Sequence, residues 1–202
     1  MPIINIREQK NLLRAKHKKL RTAYSVELKQ KLDNVLFEKF TELKEYKECK
    51  TLFAFVSMPI EVNTFPILEK TIADGKILAL PKCRQNEPIM DFYRVNSLDM
   101  LKEGKYSIME PDEEVCEKIT EYSDALCLVP GLSFDLYGYR LGFGKGYYDR
   151  FLQNFIGTTV GLCYSKCIEQ KLPHGIYDKA VDIIITDKFT NDTRNVFEKG
   201  MV

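Results

Sequence analysis

Three short segments between Thr51 and Leu80 constrain the fold of this chain more than any other feature. Residues 51–57 (Thr-Leu-Phe-Ala-Phe-Val-Ser) form an apolar, aromatic run bounded by polar residues. It is too brief for a helix and predicts a buried strand. Asn63 and Thr64 then offer caps, residues 65–73 read as a helix, and Asp74-Gly75 supplies its stop. Residues 76–80 resume as a strand. Strand, helix and strand joined by short connections make the βαβ unit of a parallel sheet.

The remaining periodicity extends this grammar. Residues 6–20 carry Leu12, Leu13, Ala15 and Leu20 at roughly helical spacing among cations. Ser25 reads as the N-cap of a second helix whose buried stripe is Val26, Leu28, Leu32, Val35, Leu36 and Phe40. Further strands are expected over residues 89–95, 124–130, 158–163 and 181–186. Residues 97–115 read as irregular, and a loop with Pro173, His174 and Gly175 separates the last two strands. With no repeat and no linker, the expectation is a single α/β domain over residues 1–202. It has a mostly parallel central sheet flanked by helices, an open three-layer sandwich.

Composition narrows the class. Hydrophobic residues at 45% and charged residues at 29% are the balance of a chain with a packed core, not of a disordered one. Thirty Lys and Arg against 29 Asp and Glu give no overall field for a nucleic acid. Locally, seven basic residues and only Glu8 as acid lie between Arg7 and Arg21. They lack the interleaved aromatic residues of a base-stacking platform, so no nucleic-acid partner is expected. Apolar stretches such as residues 52–56 fall far short of the roughly 20 residues that span a bilayer. No secretory h-region is visible, which predicts a cytoplasmic protein with no membrane partner. The six cysteines form no Cys-x-x-Cys pair and read as reduced thiols. Without a heptad or an apolar stripe that demands a partner, a monomer is expected.

The segment that points to chemistry follows the strand ending at Pro130. Gly131, Gly138, Gly142, Gly144 and Gly146 place five of the eleven glycines within 16 residues. Such density serves turns with positive φ or a backbone that must approach a ligand closely. A strand, a glycine loop and a helix starting near Tyr147 can present N–H groups to an anion, and Arg140 and Lys145 can add charge-assisted hydrogen bonds. Asp149 could hold a magnesium ion bridging phosphate oxygens. Gly144-Lys145 precedes Gly146 rather than Ser or Thr, so this is no P-loop, and the glycine spacing is not that of a dinucleotide fold. Spacing alone leaves a phosphate site and an irregular surface turn equally open.

The side chains around those glycines add more. Residues 129–135 (Val-Pro-Gly-Leu-Ser-Phe-Asp), Gly138, and residues 140–150 (Arg-Leu-Gly-Phe-Gly-Lys-Gly-Tyr-Tyr-Asp-Arg) together resemble the signature of the 5-formyltetrahydrofolate cyclo-ligase family. Lys10-Asn-Leu-Leu-Arg14 is similar to the family's N-terminal Lys-x-x-x-Arg. Glu61-Val-Asn-Thr64 and the late Val181-Asp182 also have counterparts, in family order, so the resemblance covers nearly the whole chain.

That resemblance implies an enzyme that uses ATP and magnesium to convert 5-formyltetrahydrofolate into 5,10-methenyltetrahydrofolate, releasing ADP and phosphate. It implies ATP contacts from Lys10, Asn11, Leu12, Leu13 and Arg14, and from the loop Arg140, Leu141, Gly142, Phe143, Gly144, Lys145, Gly146, Tyr147 and Tyr148. Lys10, Arg14, Arg140 and Lys145 would carry catalysis. Val56, Glu61 and the loop from Phe143 to Tyr147 would face the folate, with Glu61 accepting the pterin N–H groups. Asp149 and Asp182 would bind magnesium. The competing enzymatic reading is a divergent α/β isomerase or transferase acting on a sugar phosphate or CoA ester.

Overall fold

The computed structural model describes residues 5–104 and 108–194. Helix α1 (Ile6–Thr22) starts at Asn5, whose Oδ1 accepts from the Glu8 N–H, and α2 (Val26–Glu42) starts at Ser25, whose Oγ accepts from the Leu28 N–H. Both caps satisfy backbone donors that a helix start leaves open. On α2, Leu36 and Phe40 are fully buried, whereas Val26 and Leu28 lie exposed in the first turn, ahead of the buried positions. A short helix α3 (Lys44–Glu48), which carries too little periodicity to register in the sequence, leads into β1 (Thr51–Phe53).

The expected βαβ unit is present. Helix α4 (Phe65–Ala73) connects β1 to β2 (Ile77–Cys83), and the two strands pair in parallel. Strand β3 (Met90–Val95) returns antiparallel beside β2. The stretch expected to be irregular contains a 3-10 turn (Leu98–Met100) and a small ladder of β4 (Leu101–Glu103) with β5 (Met109–Pro111). Strands of three residues are too short for alternation to be read. Residues 105–107 of that expectation lie outside the described residues, as do the two ends of the expected 1–202 domain.

Beyond β6 (Lys118–Ile119) come β7 (Ala125–Val129), β8 (Ser133–Asp135), β9 (Arg140–Leu141) and α5 (Tyr147–Phe151). They are followed by β10 (Thr158–Cys163), β11 (Ile168–Glu169), β12 (Ile183–Thr186) and β13 (Thr190–Asp192). The main sheet runs β13-β12-β10-β7-β1-β2-β3-β6, with β12, β10, β7, β1 and β2 parallel and the outer strands antiparallel. Every residue of β7 and β12 is buried, as expected of central strands covered on both faces.

The crossover from β1 through α4 steps toward one edge of the sheet, and the crossover from β7 through α5 steps toward the other. Right-handed crossovers that diverge in this way put α4 and α5 on opposite faces. They also open a crevice at the C-terminal ends of β1 and β7, where the strand order reverses. Helix α5 starts at Tyr147 as expected and ends at Phe151, because Gln153 and Asn154 close the following turns on Arg150 and Phe151 carbonyls. An aromatic cluster anchors it: the Phe151 ring centre lies 4.5 Å from that of Phe92, and Phe53 packs on Phe92, Tyr122 and Phe155. Among the described residues no helix is long and apolar enough to cross a membrane, and all six thiols are free.

Candidate active site

The crevice at the strand reversal holds a cavity of about 430 Å³. Its floor comes from chain that has just left the sheet: Phe55 and Val56 beyond β1, and Pro130 beyond β7. Pro81, Cys83 and Met90 add an apolar wall, the loop from Arg140 to Asp149 forms the opposite one, and α1 lays Lys10, Arg14 and Lys18 across the opening. An adjoining groove of about 620 Å³ is lined by Arg7, Lys10, Asn11, Arg14, Gly144 and Lys145. Phe143 borders both spaces, and Lys18 Nζ sits 5.4 Å from its ring centre.

Local chemistry explains why the loop holds this shape. Asp135, fully buried, accepts hydrogen bonds from the Tyr137, Tyr139 and Leu172 N–H groups and so fixes the β8–β9 turn. Gly144 has φ +98° and Gly146, the residue before α5, has φ +73°, conformations costly for any residue with a Cβ. A Cβ on Gly144 would stand 3.1 Å from the Arg14 guanidinium. Arg14 Nε donates to the Gly142 carbonyl at 2.9 Å, tying loop to helix. Because α5 is only five residues long, the groups here that could draw an anion are the side-chain cations rather than a helix N-terminus.

Arg140 is nearly buried; it donates to Asp149 Oδ1 at 2.8 Å and to the Lys179 carbonyl at 2.8 Å. Lys10 Nζ lies 2.7 Å from both oxygens of Asp178. Burial pulls the Asp178 carboxyl up, but the Gly175 N–H and Lys10 outweigh it and hold the group below its ordinary range. Burial lowers the Arg14 pKa, partly offset by the charge of Asp178.

Glu61 occupies the deep end of the cavity with 4% exposure. Its Oε2 accepts from the Met58 N–H at 2.8 Å, and the Glu61 N–H closes the turn on the Met58 carbonyl. Burial pushes its carboxyl up to about 7, against the opposing pull of the Met58 N–H and the charges of Arg21 and Lys29. Thr64 holds this turn in place, since its Oγ1 accepts from the Ser57 N–H and donates to the Phe55 carbonyl. The sequence spacing Glu-x-x-Thr is thus a carboxylate and the pin of its own loop.

The structure brings Lys10, Arg14, Val56, Glu61 and all of residues 140–149 to one cavity, with Asn11 in the adjoining groove. Leu12 is 64% exposed, and neither Leu12 nor Leu13 lines either space, because helical geometry turns them away from the face that carries Lys10 and Arg14. Asp182 is not brought to the site. It lies just before β12, where its Oδ2 accepts from the Thr159 N–H and Oγ1, so it caps the start of two strands at the opposite end of the sheet. Two cavity carboxylates escaped the sequence reading, Glu110 and, four residues before Asp182, Asp178; of these Asp178 is the one paired with a predicted site cation, Lys10. The signal of Asp178 was weak, an aspartate in an irregular loop, and only its contact with Lys10 singles it out.

A magnesium ion fits this donor set. Among the described residues no three His, Cys, Asp or Glu side chains cluster for a metal, but Asp149 and Asp178 offer oxygen ligands beside cations suited to phosphate. Magnesium commonly takes one or two carboxylates and completes its shell with phosphate oxygens and water.

Comparison with known proteins gives this arrangement its relatives. Residues 6–187 match the 5-formyltetrahydrofolate cyclo-ligase family. A 5-formyltetrahydrofolate cyclo-ligase from Mus musculus is 30% identical over 92% of this chain and 97% of its own. A probable 5-formyltetrahydrofolate cyclo-ligase from Caenorhabditis elegans is 35% identical over 72% of this chain and 73% of its own. The solved 5,10-methenyltetrahydrofolate synthetase of Aquifex aeolicus superposes with a TM-score of 0.81 at 35% identity, covering 92% of this chain and 93% of that one. That of Mycoplasma pneumoniae gives 0.71 at 25% identity, over 88% and 98%. Matches of this extent, on a chain whose cavity gathers the family-like motifs, set aside the isomerase or transferase reading: this chain belongs to the 5-formyltetrahydrofolate cyclo-ligase family of enzymes.

Proposed function

We propose that the chain converts 5-formyltetrahydrofolate into 5,10-methenyltetrahydrofolate with ATP and magnesium, releasing ADP and phosphate. The observation that carries this reading is the double lining of one loop. Residues 143–145 border both an apolar cavity that ends at Glu61 and a groove rich in cations. A folate with its pterin at Glu61 and a triphosphate along Lys10, Arg14 and Lys145 would meet at that loop.

A formamide carbonyl carbon is a poor electrophile. Its oxygen attacks the γ-phosphorus, ADP leaves, and the resulting imidate-like phosphate is attacked at carbon by the neighbouring N10 amine; the C–O bond then breaks, and phosphate departs together with the N10 proton as the amidinium-like ring is completed. No protein nucleophile is required. Catalysis is positioning and charge neutralisation, the work of Lys10, Arg14, Arg140 and Lys145. Glu61 orients the pterin by accepting hydrogen bonds from adjacent ring N–H groups. Magnesium, when bound, would neutralise phosphate charge, and Asp149 and Asp178, which line the cavity, would hold it.

The test is the near-ultraviolet band of the conjugated product, followed with protein, 5-formyltetrahydrofolate, ATP and magnesium, and with ATP or metal omitted in turn. The expected outcome is growth of the band in the complete mixture alone. A flat trace from folded protein refutes the reading.

A further inference from the structure

The last turn of α1 carries an arginine that enters the chemistry above only through the pull of its charge on Glu61. Arg21 is 3% exposed, and among the described residues no carboxylate meets its guanidinium directly. Nη2 donates to the Gly131 carbonyl at 2.7 Å, Nη1 donates to the Ile60 carbonyl at 3.3 Å, and the Cys163 sulfur lies 3.9 Å from Nη2. The guanidinium stands over the Tyr164 ring at 5.3 Å, and Nε has no hydrogen-bond partner among the described residues. Burying a charge at this depth is costly, so the contacts it makes must matter to the fold or to the site.

Those two carbonyls are not arbitrary. Ile60 immediately precedes Glu61, and Gly131 immediately follows Pro130, so they belong to the two chains that leave β1 and β7 on either side of the crevice. We infer that Arg21 is a positioning residue for the folate subsite, its planar fork spanning both lips of the crevice and fixing where Glu61 stands. The inference rests on the proposed placement of the pterin at Glu61. A planar fork fixes the spacing of its two donors, whereas an ammonium can also reach two carbonyls, as Lys76 does with Lys47 and Cys49, but from a single point on a flexible stem that sets their separation less strictly.

The nucleotide side of the site has its own anchors. Arg14 is tied to Gly142, Lys10 to Asp178, and the middle of α1 to Glu169 through Lys16 and His17. Loss of the Arg21 fork therefore releases the Glu61 turn and leaves the cations of α1 in register.

The discriminating variant is Arg21→Lys, which keeps the charge and most of the stem. Calorimetric binding of 5-formyltetrahydrofolate and, separately, of a non-hydrolysable ATP analogue with magnesium provides the readout, with thermal melting as the control for folding. The expected result is folate binding weakened about tenfold, the scale of a lost hydrogen bond from a charged group, and nucleotide binding changed less than about twofold. Unchanged folate binding overturns the inference. Equal weakening of both ligands also overturns it, because that is the mark of a general structural role. Should Arg21→Lys fail to fold, Arg21→Gln, which keeps a donor without the charge, must give the same split. Wild-type protein that binds the nucleotide but no folate refutes the pterin placement itself, a failure separate from either of these and one that removes the inference with it.

Discussion

Glu61 keeps a carboxyl group where water barely reaches, and its proton is the residue-scale quantity most open to measurement. Its ordinary value near 4.5 rises to about 7 in the folded protein. Between those values the folded state binds more protons than the unfolded state, so this residue makes stability fall as pH climbs from about 4.5 to 7 and level off above. Glu61→Gln removes that loss. At pH 8 the variant is expected to be more stable than the parent by up to about 3 kcal/mol, and at pH 4 to match it, as denaturant melts at the two pH values would record. Folate affinity moves the other way. With the pterin placed at Glu61 as proposed, the ionised carboxylate would be the acceptor, so binding should tighten as pH rises through about 7 in the parent and lose that dependence in the variant. The two aspartates of the late loop separate in the same manner. Asp182→Asn is expected to cost about 1–3 kcal/mol of stability, since it weakens the cap on Thr159, and to leave the magnesium requirement unchanged. Asp178→Asn should raise the magnesium concentration needed for half-maximal turnover and also lower the melting temperature, because it removes the charge paired with Lys10. Titrations of metal against rate distinguish the two, and thermal melts record the loss common to both.

At the scale of elements, the site depends on a loop pinned at three places: by Asp135 at its root, by Arg14 against α1, and by the aromatic packing of α5. Gly144→Ala tests the middle of it. The φ of +98° is hostile to an L side chain, and the added carbon would press on the Arg14 guanidinium, whose flexible end can yield. The expected outcome is a loss of about 1–3 kcal/mol from backbone strain, together with nucleotide binding weakened roughly tenfold as Arg14 shifts, measured by melting and calorimetry. Much at this scale was legible in the sequence. The caps at Ser25, the helix from Phe65 to Ala73 and the strand from Thr158 to Cys163 all follow from local pattern. The elements that escaped, α3, β4, β5, β6, β8, β9, β11 and β13, are two to five residues long, too short for a period to register.

Across the whole molecule, parallel strands and right-handed crossovers put the crevice where α/β sheets carry their ligands, and that much the βαβ order already implied. Which side chains converge there was less visible. Lys10 and Asp178 are 168 positions apart, and Arg21 reaches carbonyls on two other segments, relations that no local pattern encodes. Asp182 illustrates the converse: the motif Val-Asp was conspicuous, but the direction of the strand it opens carries it to the far end of the sheet. The outermost strands of that sheet have a separate consequence. On one side β6 is two residues long and begins with a lysine, and on the other β13 is three residues long and ends in an aspartate held by Arg194. Rims so short and so charged give another chain almost no ladder to extend, so eight strands' worth of backbone is shielded from edge-to-edge aggregation at its two margins.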